Sequence, residues 1–249
     1  MYLCTLTHYK MTNTGKIELM APAGNFESLQ AAIDNGADSV YFGVDQLNMR
    51  ARASINFTIA DLDEIAHRCA PKGIRTYLTL NTIIYDHDLS IIKTLLDAAK
   101  KAGLTAVIAM DQAVIAYARQ IGMEVHISTQ INITNIETVR FYAMFADTMV
   151  MSRELSLRQI KKICEQIEKE QIKGPSGNLV EIEIFGHGAL CMAVSGKCYL
   201  SLHSHNSSAN RGACKQNCRK KYTVIDQESG FEIELDNEYM MSPKDLCTI

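Results

Sequence analysis

The strongest constraint on the fold is a short apolar run that recurs seven times between residues 16 and 190, and an amphipathic helical stretch follows each of the first six runs. The apolar runs are IELMAPAGN, ADSVYFGV, IRTYLTLN, TAVIAMD, MEVHISTQ, ADTMVMSRE and NLVEIEIFGHG. Continuous apolar strands that alternate with helices predict a parallel sheet buried on both faces. Seven consecutive units with short connections favour a TIM-like (β/α) barrel over a doubly wound sheet. We therefore predict an α/β barrel over residues 16–190.

Polar residues mark where several of the predicted helices begin. Asn25 precedes the first helical stretch as a cap, and Gly36 follows it. Thr58 and Asp61 stand at capping-box spacing before the second stretch. Asp111 has the position of a cap for the fourth.

The two ends of the chain depart from this rhythm. Residues 1–15 carry no periodicity and are predicted to be a loose leader. A cysteine-rich insertion over residues 191–222 replaces the seventh helix, and residues 223–249 are predicted to form a β-hairpin and a truncated return to the barrel. The hairpin is predicted because apolar and acidic residues alternate: Phe231, Glu232, Ile233, Glu234, Leu235 and Asp236. An eighth strand is missing, so the barrel either stays open or belongs to a longer protein, and we favour the longer protein.

Composition excludes several classes of protein. The chain has 249 residues, 47% of them hydrophobic, and a net charge of -3, which suggests neither a strongly basic nucleic-acid binder nor an acidic tail. No apolar run reaches the roughly 18 residues that a membrane span needs, and the first ten residues lack the features of a signal peptide. We therefore expect a cytoplasmic protein with reduced thiols. Cys69 and Cys164 lie on helical patterns and are expected to be small core residues.

In a barrel of this kind the chemistry lies where the strands end. Those positions carry a polar set: Asn81, Asp111, Gln130, Arg153, Glu154 and His187. His126, inside the fifth strand, is predicted to point inward toward the same mouth. Any one of these residues could simply cap a helix or satisfy a loop, so spacing alone names no acid–base pair. The chain has no Gly-x-Ser-x-Gly elbow, no His-Glu-x-x-His helix and no phosphate-binding loop with lysine.

The insertion contains four cysteines, with six, fifteen and three residues between successive ones: Cys191, Cys198, Cys214 and Cys218. Structural zinc sites prefer two tight pairs, and the first pair here is too wide for that rule. Iron–sulfur clusters are larger and accept wider spacings, so the spacing favours a cluster, with zinc or no metal as alternatives. Gly188, Gly196 and Gly212 would let the backbone bend around a bulky centre. Because the insertion starts where the seventh strand ends, the metal would lie at the barrel mouth.

The insertion is also basic. Between residues 191 and 222 it has no Asp or Glu and six basic side chains: Lys197, Arg211, Lys215, Arg219, Lys220 and Lys221. Tyr199 and Tyr222 are candidates for stacking on bases. Such a patch is what an RNA backbone needs, whereas a solvated loop balanced by the acidic hairpin is the plain alternative.

The stretch from residue 183 to 201 resembles the signature of the collagenase-like U-32 peptidase family. The matching positions are Glu183, Phe185, Gly188, Ala189, Leu190, Cys191, Gly196, Cys198, Leu200 and Ser201. SANRGACKQNCRKKY, MSPKDLC and MAPAGNFESLQAAIDNGADSVYFG resemble further conserved blocks of the family. The resemblance covers residues 16–249. Members of the family usually continue past this carboxyl end, which supports a longer protein.

The resemblance implies an activity other than the one in the family's name. Better-understood relatives are oxygen-independent hydroxylases that carry a four-cysteine iron–sulfur cluster. Some hydroxylate a pyrimidine in transfer or ribosomal RNA, with prephenate implicated as the oxygen source, and others act on a ubiquinone precursor. The resemblance therefore implies a 4Fe-4S cluster, with zinc as the alternative, on Cys191, Cys198, Cys214 and Cys218. Cys247 stays outside this ligand set.

We accordingly expect hydroxylation of a pyrimidine in tRNA or rRNA, with prephenate or a similar carboxylated oxygen donor and an electron-transfer protein as partners. The residues predicted to bind RNA are Arg211, Lys215, Arg219, Lys220 and Gln130. Catalytic roles are predicted for Asn81, Glu183, Arg153 and His187, and Arg153 or His187 would hold the carboxylate of the donor. Two alternatives stay open: a metal-dependent or cysteine peptidase, and a non-catalytic, metal-stapled RNA-binding module.

Overall fold

A computed structural model describes residues 2–6, 17–44, 47–49, 57–188, 191–235 and 246–247. The main sheet begins with β1 (Tyr2–Leu6) and continues with seven strands: β2 (Glu18–Pro22), β3 (Ser39–Phe42), β4 (Arg75–Leu80), β5 (Ala106–Ala109), β6 (Glu124–Ile127), β7 (Thr148–Val150) and β8 (Glu181–Gly188). From β2 to β8 each strand pairs in parallel with the next. The predicted seven-stranded α/β architecture is therefore confirmed as a curled, TIM-like sheet with helices.

Six helices connect the parallel strands: α1 (Phe26–Asp34), α2 (Leu62–Cys69), α3 (Leu89–Lys101), α4 (Gln112–Gln120), α5 (Ile136–Ala143) and α6 (Leu157–Glu170). The predicted caps are present. Asn25 Oδ1 accepts from Ser28 N at 2.8 Å, and Asp111 Oδ1 accepts from Ala113 N at 2.9 Å. These side chains satisfy backbone donors that the first turn of a helix leaves unpaired. Among the described residues, no helix has the length and apolarity that a membrane crossing requires.

Two apolar layers stabilise the sheet. The layer inside the barrel contains Met20, Tyr41, Tyr77, Ala106, Ile108 and Val150, with Phe185 packed against it. The layer between the sheet and the helices is larger and includes fully buried Ile65 and Leu96. Burying such a side chain contributes about 1.5–3 kcal/mol, so the outer layer holds the helices against the strands. Cys69 is buried and Cys164 packs against this layer, as predicted for core thiols.

The junction between the first and last parallel strands of the barrel differs from the prediction. Residues 2–6, expected to belong to a loose leader, form β1, which pairs antiparallel with both β2 and β8. Leu3 lies opposite Met20 on one side and Phe185 on the other. A parallel sheet of seven strands leaves two edges with unpaired backbone groups, and β1 pairs with both of them. The rest of the predicted leader, residue 1 and residues 7–15, lies outside the described residues.

The insertion folds against the carboxyl ends of the strands. It contains one short helix, α7 (Leu200–His205), and single turns of 3-10 helix at Ala209–Arg211 and Asn217–Arg219. The predicted hairpin follows as β9 (Tyr222–Ile225) and β10 (Glu232–Leu235), which pair antiparallel. A final strand, β11 (Leu246–Cys247), pairs with the end of β8. Residues 236–245 and 248–249 of the predicted return lie outside the described residues.

Candidate functional site

A cavity of about 340 Å³ lies between the ends of the last barrel strands and the insertion. Its lining includes all the cysteines of the insertion: Cys191, Cys198, Cys214 and Cys218. We call it the thiol cavity. Arg153, His187 and Gln130, which the strand ends predicted, also line it. The fold therefore brings together three predicted mouth residues and four thiols that are spread over residues 130–218.

A second, smaller cavity of about 110 Å³ lies on the barrel axis, and we call it the axis cavity. Its polar lining includes Glu183, Asn81, Ser128 and Gln130. Met49, Thr129, Gln130 and Phe185 line both cavities. The two cavities are therefore adjoining compartments of one site at the barrel mouth.

Local backbone contacts position the thiols. The backbone N–H of Cys198 donates to Asn210 Oδ1 at 3.2 Å, which ties the loop before α7 to the turn after it. Cys214 Sγ accepts from Gln216 N at 3.3 Å, and Cys218 lies in the 3-10 turn that follows. Gly196 has a φ of 70°, a left-handed conformation that suits glycine, so the predicted bend at this position is present.

The electrostatics of the thiols reflect their proximity. Burial raises the pKa of Cys218, and the charges of Cys191, Cys214 and Cys198 raise it further, while Arg219 opposes the shift. Within the described part of the chain, no three His, Cys, Asp or Glu side chains form a group that could hold a single metal ion. The thiols therefore surround a cavity instead of converging on one point.

Arg211 anchors the insertion to the barrel. Its guanidinium donates to both carboxylate oxygens of Asp88, with Nη1–Oδ2 at 2.7 Å and Nη2–Oδ1 at 3.3 Å, and to the carbonyl oxygen of Ile83 at 2.9 Å. It also stacks over Tyr85, 4.2 Å from the ring centroid. These contacts favour a structural role for Arg211 over the RNA contact that we predicted, because they occupy most of its donors.

A second connection involves Arg153, which follows β7. Its Nη2 donates to Ser195 Oγ at 2.7 Å and to the carbonyl oxygen of Ala193 at 3.2 Å. Its Nε is buried and has no hydrogen-bond partner. Asn132 supports the same loop by donating to the carbonyl oxygen of Ser195 at 2.8 Å. The guanidinium is thus fixed at the wall of the thiol cavity with one buried N–H unused.

A buried charged group lies inside the barrel. His126 Nε2 is 3.1 Å from Glu124 Oε1, and His126 Nδ1 is 3.6 Å from Glu183 Oε2, which is longer than a hydrogen bond. Burial opposes protonation of His126, but the two carboxylates outweigh it and raise its pKa to about 9. His126 therefore points inward, as predicted, but it lines neither cavity at the mouth; its raised pKa favours the charged form at neutral pH.

The other predicted residues divide into those near the cavities and those away from them. Asn81 Oδ1 accepts from Met49 N at 3.2 Å at the axis cavity, whereas Glu154 is exposed and contacts Ser152. Asp111 is the cap of α4. Exposed lysines surround the insertion: Lys197, Lys215, Lys220 and Lys221. Arg219 is half-buried.

The two tyrosines of the insertion differ in exposure. Tyr199 is 66% exposed, so its ring is accessible from solvent. Tyr222 is half-buried, and its hydroxyl donates to the carbonyl oxygen of Asn217 at 2.6 Å. The structure therefore leaves Tyr199 as the better stacking surface.

Sequence reasoning missed three supporting residues. Asp88 reads as an ordinary helix-start acid, Ser128 as a strand-end hydroxyl and Ser195 as a loop residue. Each gains its role from a partner far along the chain: Asp88 and Arg211 are 123 residues apart, and Ser128 Oγ accepts from Asn81 Nδ2 at 3.4 Å. A single sequence carries no signal of such a pairing.

The family model for peptidase family U32 matches residues 24–249. This chain belongs to peptidase family U32. A solved structure of the U32 peptidase Mk0906 has a TM-score of 0.50 at 13% identity, over 59% of this chain and 64% of that one, which supports the shared fold alone.

Curated U32 relatives carry two kinds of name. A protein of Porphyromonas gingivalis named collagenase is 58% identical over 95% of this chain. A tRNA hydroxylation protein P1 of Bacillus subtilis is 34% identical over 99%, and a 23S rRNA 5-hydroxycytidine C2501 synthase of Escherichia coli is 34% identical over 92%. The chain spans 57%, 57% and 33% of the lengths of these relatives, respectively.

Proposed function

We propose that this U32 protein is an iron–sulfur, oxygen-independent hydroxylase that modifies a pyrimidine in tRNA or rRNA in the cytoplasm. The observation that carries the proposal is the thiol cavity, where four cysteines surround one space beside the barrel axis. The names of the Bacillus subtilis and Escherichia coli relatives support RNA as the substrate.

The donor set fits a cluster better than a single ion. A zinc ion needs its ligands to converge at about 2.3 Å from one point, whereas a cluster of several atoms accepts thiolates around a wider space. Cys191, Cys198, Cys214 and Cys218 would be the ligands. A 4Fe-4S cluster, when bound, supplies one-electron transfer at the barrel mouth.

Arg153 is the residue that we assign to the oxygen donor. Its buried, unpartnered Nε at the cavity wall can donate to a carboxylate, and Ser195 holds the guanidinium in place. His187 lines the same cavity on β8 and is a second candidate for contact with the donor. Prephenate or a similar carboxylated compound that carries a hydroxyl group would suit this position.

The overall chemistry balances without molecular oxygen. Replacing a ring C–H by C–OH removes two electrons from the ring, and the donor loses its hydroxyl oxygen and gains those two electrons. An electron-transfer protein would set the oxidation state of the site between turnovers. The exposed lysines at residues 197, 215 and 220 would contact the RNA backbone without reading its sequence.

Mass spectrometry of nucleosides tests this proposal. RNA from a strain that lacks the gene should lose one hydroxylated pyrimidine, and the full-length gene should restore it. A gene that carries Cys214→Ala should fail to restore it. Unchanged RNA in the deletion strain would refute the hydroxylase function, and tight RNA binding without modification would favour the binding module instead.

Proteolysis is the second candidate, because the Porphyromonas gingivalis relative is named collagenase. A mononuclear zinc peptidase uses three protein ligands around one ion, and the residues that the structure describes contain no such group. Incubation of the full-length protein with denatured collagen, with and without a chelator, tests this activity. Cleavage that the chelator abolishes would favour the peptidase.

A further inference from the structure

The axis cavity contains buried acceptors without donors. Glu183 is fully buried; its Oε2 lies 3.6 Å from the charged His126, and neither carboxylate oxygen has a partner within hydrogen-bond distance. Gln130 Oε1 is likewise buried without a partner, and both side chains line the axis cavity. Buried acceptors that lack a donor cost roughly 1–3 kcal/mol each, and a carboxylate costs more. A ligand that donates N–H groups would remove this cost.

The charges around the axis cavity disfavour an anion. His126 carries one positive charge between the carboxylates of Glu124 and Glu183, which leaves one negative charge in excess. The charges of Glu18 and Arg75 cancel because the two side chains form an ion pair, and Tyr77 donates to Glu18 at 2.8 Å. The anionic oxygen donor therefore belongs beside Arg153 in the thiol cavity and not here.

The walls of the axis cavity are apolar and aromatic: Tyr41, Phe42, Met49, Ile108, Val150 and Phe185. Its volume of about 110 Å³ lies well below the roughly 300 Å³ of a pocket for a drug-sized ligand, so it suits a single ring.

We propose that the axis cavity binds the target base through its exocyclic amino group, with Glu183 and Gln130 as the acceptors, and that cytosine is therefore preferred over uracil. Cytosine presents an N4 amino group with two donors, and a glutamate accepts well from it. Uracil presents the O4 acceptor at the same position, which would face the carboxylate. The choice of a pyrimidine rests on the proposed function. Enzymes that modify a base commonly extrude it into such a pocket.

Binding of free cytidine and free uridine to the anaerobically purified full-length protein tests this inference, and NMR of the nucleosides can measure it. We expect cytidine to bind roughly tenfold more tightly than uridine. Glu183→Gln should abolish the preference, because its amide can donate to uracil O4. Gln130→Leu removes one uncharged acceptor and should weaken the binding of cytidine about fivefold. Glu165→Gln, on the outer helix α6, should change nothing.

The outcomes separate this inference from the proposed function. Equal binding of the two nucleosides, binding of neither, or an unchanged preference in Glu183→Gln overturns the inference, whatever the RNA analysis shows. A cytidine preference that depends on Glu183, in a protein whose deletion causes no loss of a hydroxylated pyrimidine from RNA, supports the base pocket and refutes the hydroxylase. Circular dichroism of each variant checks that its barrel is folded before the binding results are compared.

Discussion

Arg211 and Asp88 form a two-pronged ion pair that joins the cysteine-rich insertion to the loop after β4, with Nη1–Oδ2 at 2.7 Å. Asp88 is buried, and Arg211 is 23% exposed. Arg211→Lys loses the second hydrogen bond to Asp88 and the stacking of the guanidinium on Tyr85. We expect it to lower the free energy of unfolding by about 1–3 kcal/mol and to speed tryptic cleavage of the insertion.

Arg68→Lys is the matched control for this pair, because Arg68 contacts Glu64 on the exposed surface of α2 at 2.7 Å. Arg68→Lys should lower the free energy of unfolding by less than about 0.5 kcal/mol. The pKa of Asp88 is lowered, chiefly by its hydrogen bond with Arg211, so its contribution is present near neutral pH and lost as the pH falls. Equal effects of the two substitutions would show that Arg211 is not an anchor.

Gly196 offers a second prediction. Its φ is 70°, and an added Cβ would lie 3.2 Å from Gln130 Oε1 and 3.3 Å from the carbonyl oxygen of Gln130. Gly177 has a φ of 80° with nothing within 4 Å of its Cβ position, so Gly177→Ala carries the backbone cost alone, about 1–2 kcal/mol. Gly196→Ala should cost about 1–3 kcal/mol more and lower the metal content. Equal costs in denaturant unfolding would contradict the close packing of this loop.

Much of the fold could be predicted because the signals are local. The apolar runs and caps such as Asn25 and Asp111 depend on residues a few positions apart, and the structure has the helices and strands that they predict. The shared mouth of Gln130, Arg153 and His187 follows from the parallel strand order, since strand ends meet at one edge of the barrel.

The rest depends on pairings that no local pattern records. β1 pairs with strands at both ends of the sheet, and its sequence has no periodicity of its own. The roles of Asp88 and Ser195 depend on Arg211 and Arg153, respectively. Glu183 was identified through a family signature, but its burial beside His126 is a property of the closed barrel.

His126 gives a prediction for pH. Its pKa in the folded protein is about 9, above the value near 6.5 of an unperturbed histidine. Its contribution is therefore fully present below pH 6.5 and is lost as the pH rises toward 9, and it amounts to about 3 kcal/mol. The groups that face it are Glu124, Glu183 and Tyr77.

Denaturant unfolding at a series of pH values checks this contribution. His126→Gln should flatten the fall in stability between pH 6.5 and 9, while the exposed His67→Gln on α2 should retain the slope of the parent protein. Parallel curves for all three proteins would mean that His126 is not held in its charged form.

Arg153 should govern the oxygen donor and not the RNA. Arg153→Lys keeps the charge but loses the fixed planar fork at the cavity wall, so KM for the donor should rise about tenfold to a hundredfold. Ser195→Ala removes only the hydroxyl that accepts from Arg153 Nη2 at 2.7 Å and should raise KM less. Steady-state kinetics with the donor varied separates the two variants. An unchanged KM in Arg153→Lys would show that the oxygen donor does not bind beside Arg153.

Iron and acid-labile sulfide analysis of the anaerobically purified full-length protein, together with a visible absorption spectrum, measures whether the thiol cavity binds an iron–sulfur cluster. We expect about four irons and four sulfides per chain. Cys191→Ala should lose both together, whereas Cys164→Ala should retain them, because Cys164 lies on α6 and its side chain packs against the outer apolar layer, away from the thiol cavity. Zinc alone, or no metal at all, would contradict the iron–sulfur hydroxylase.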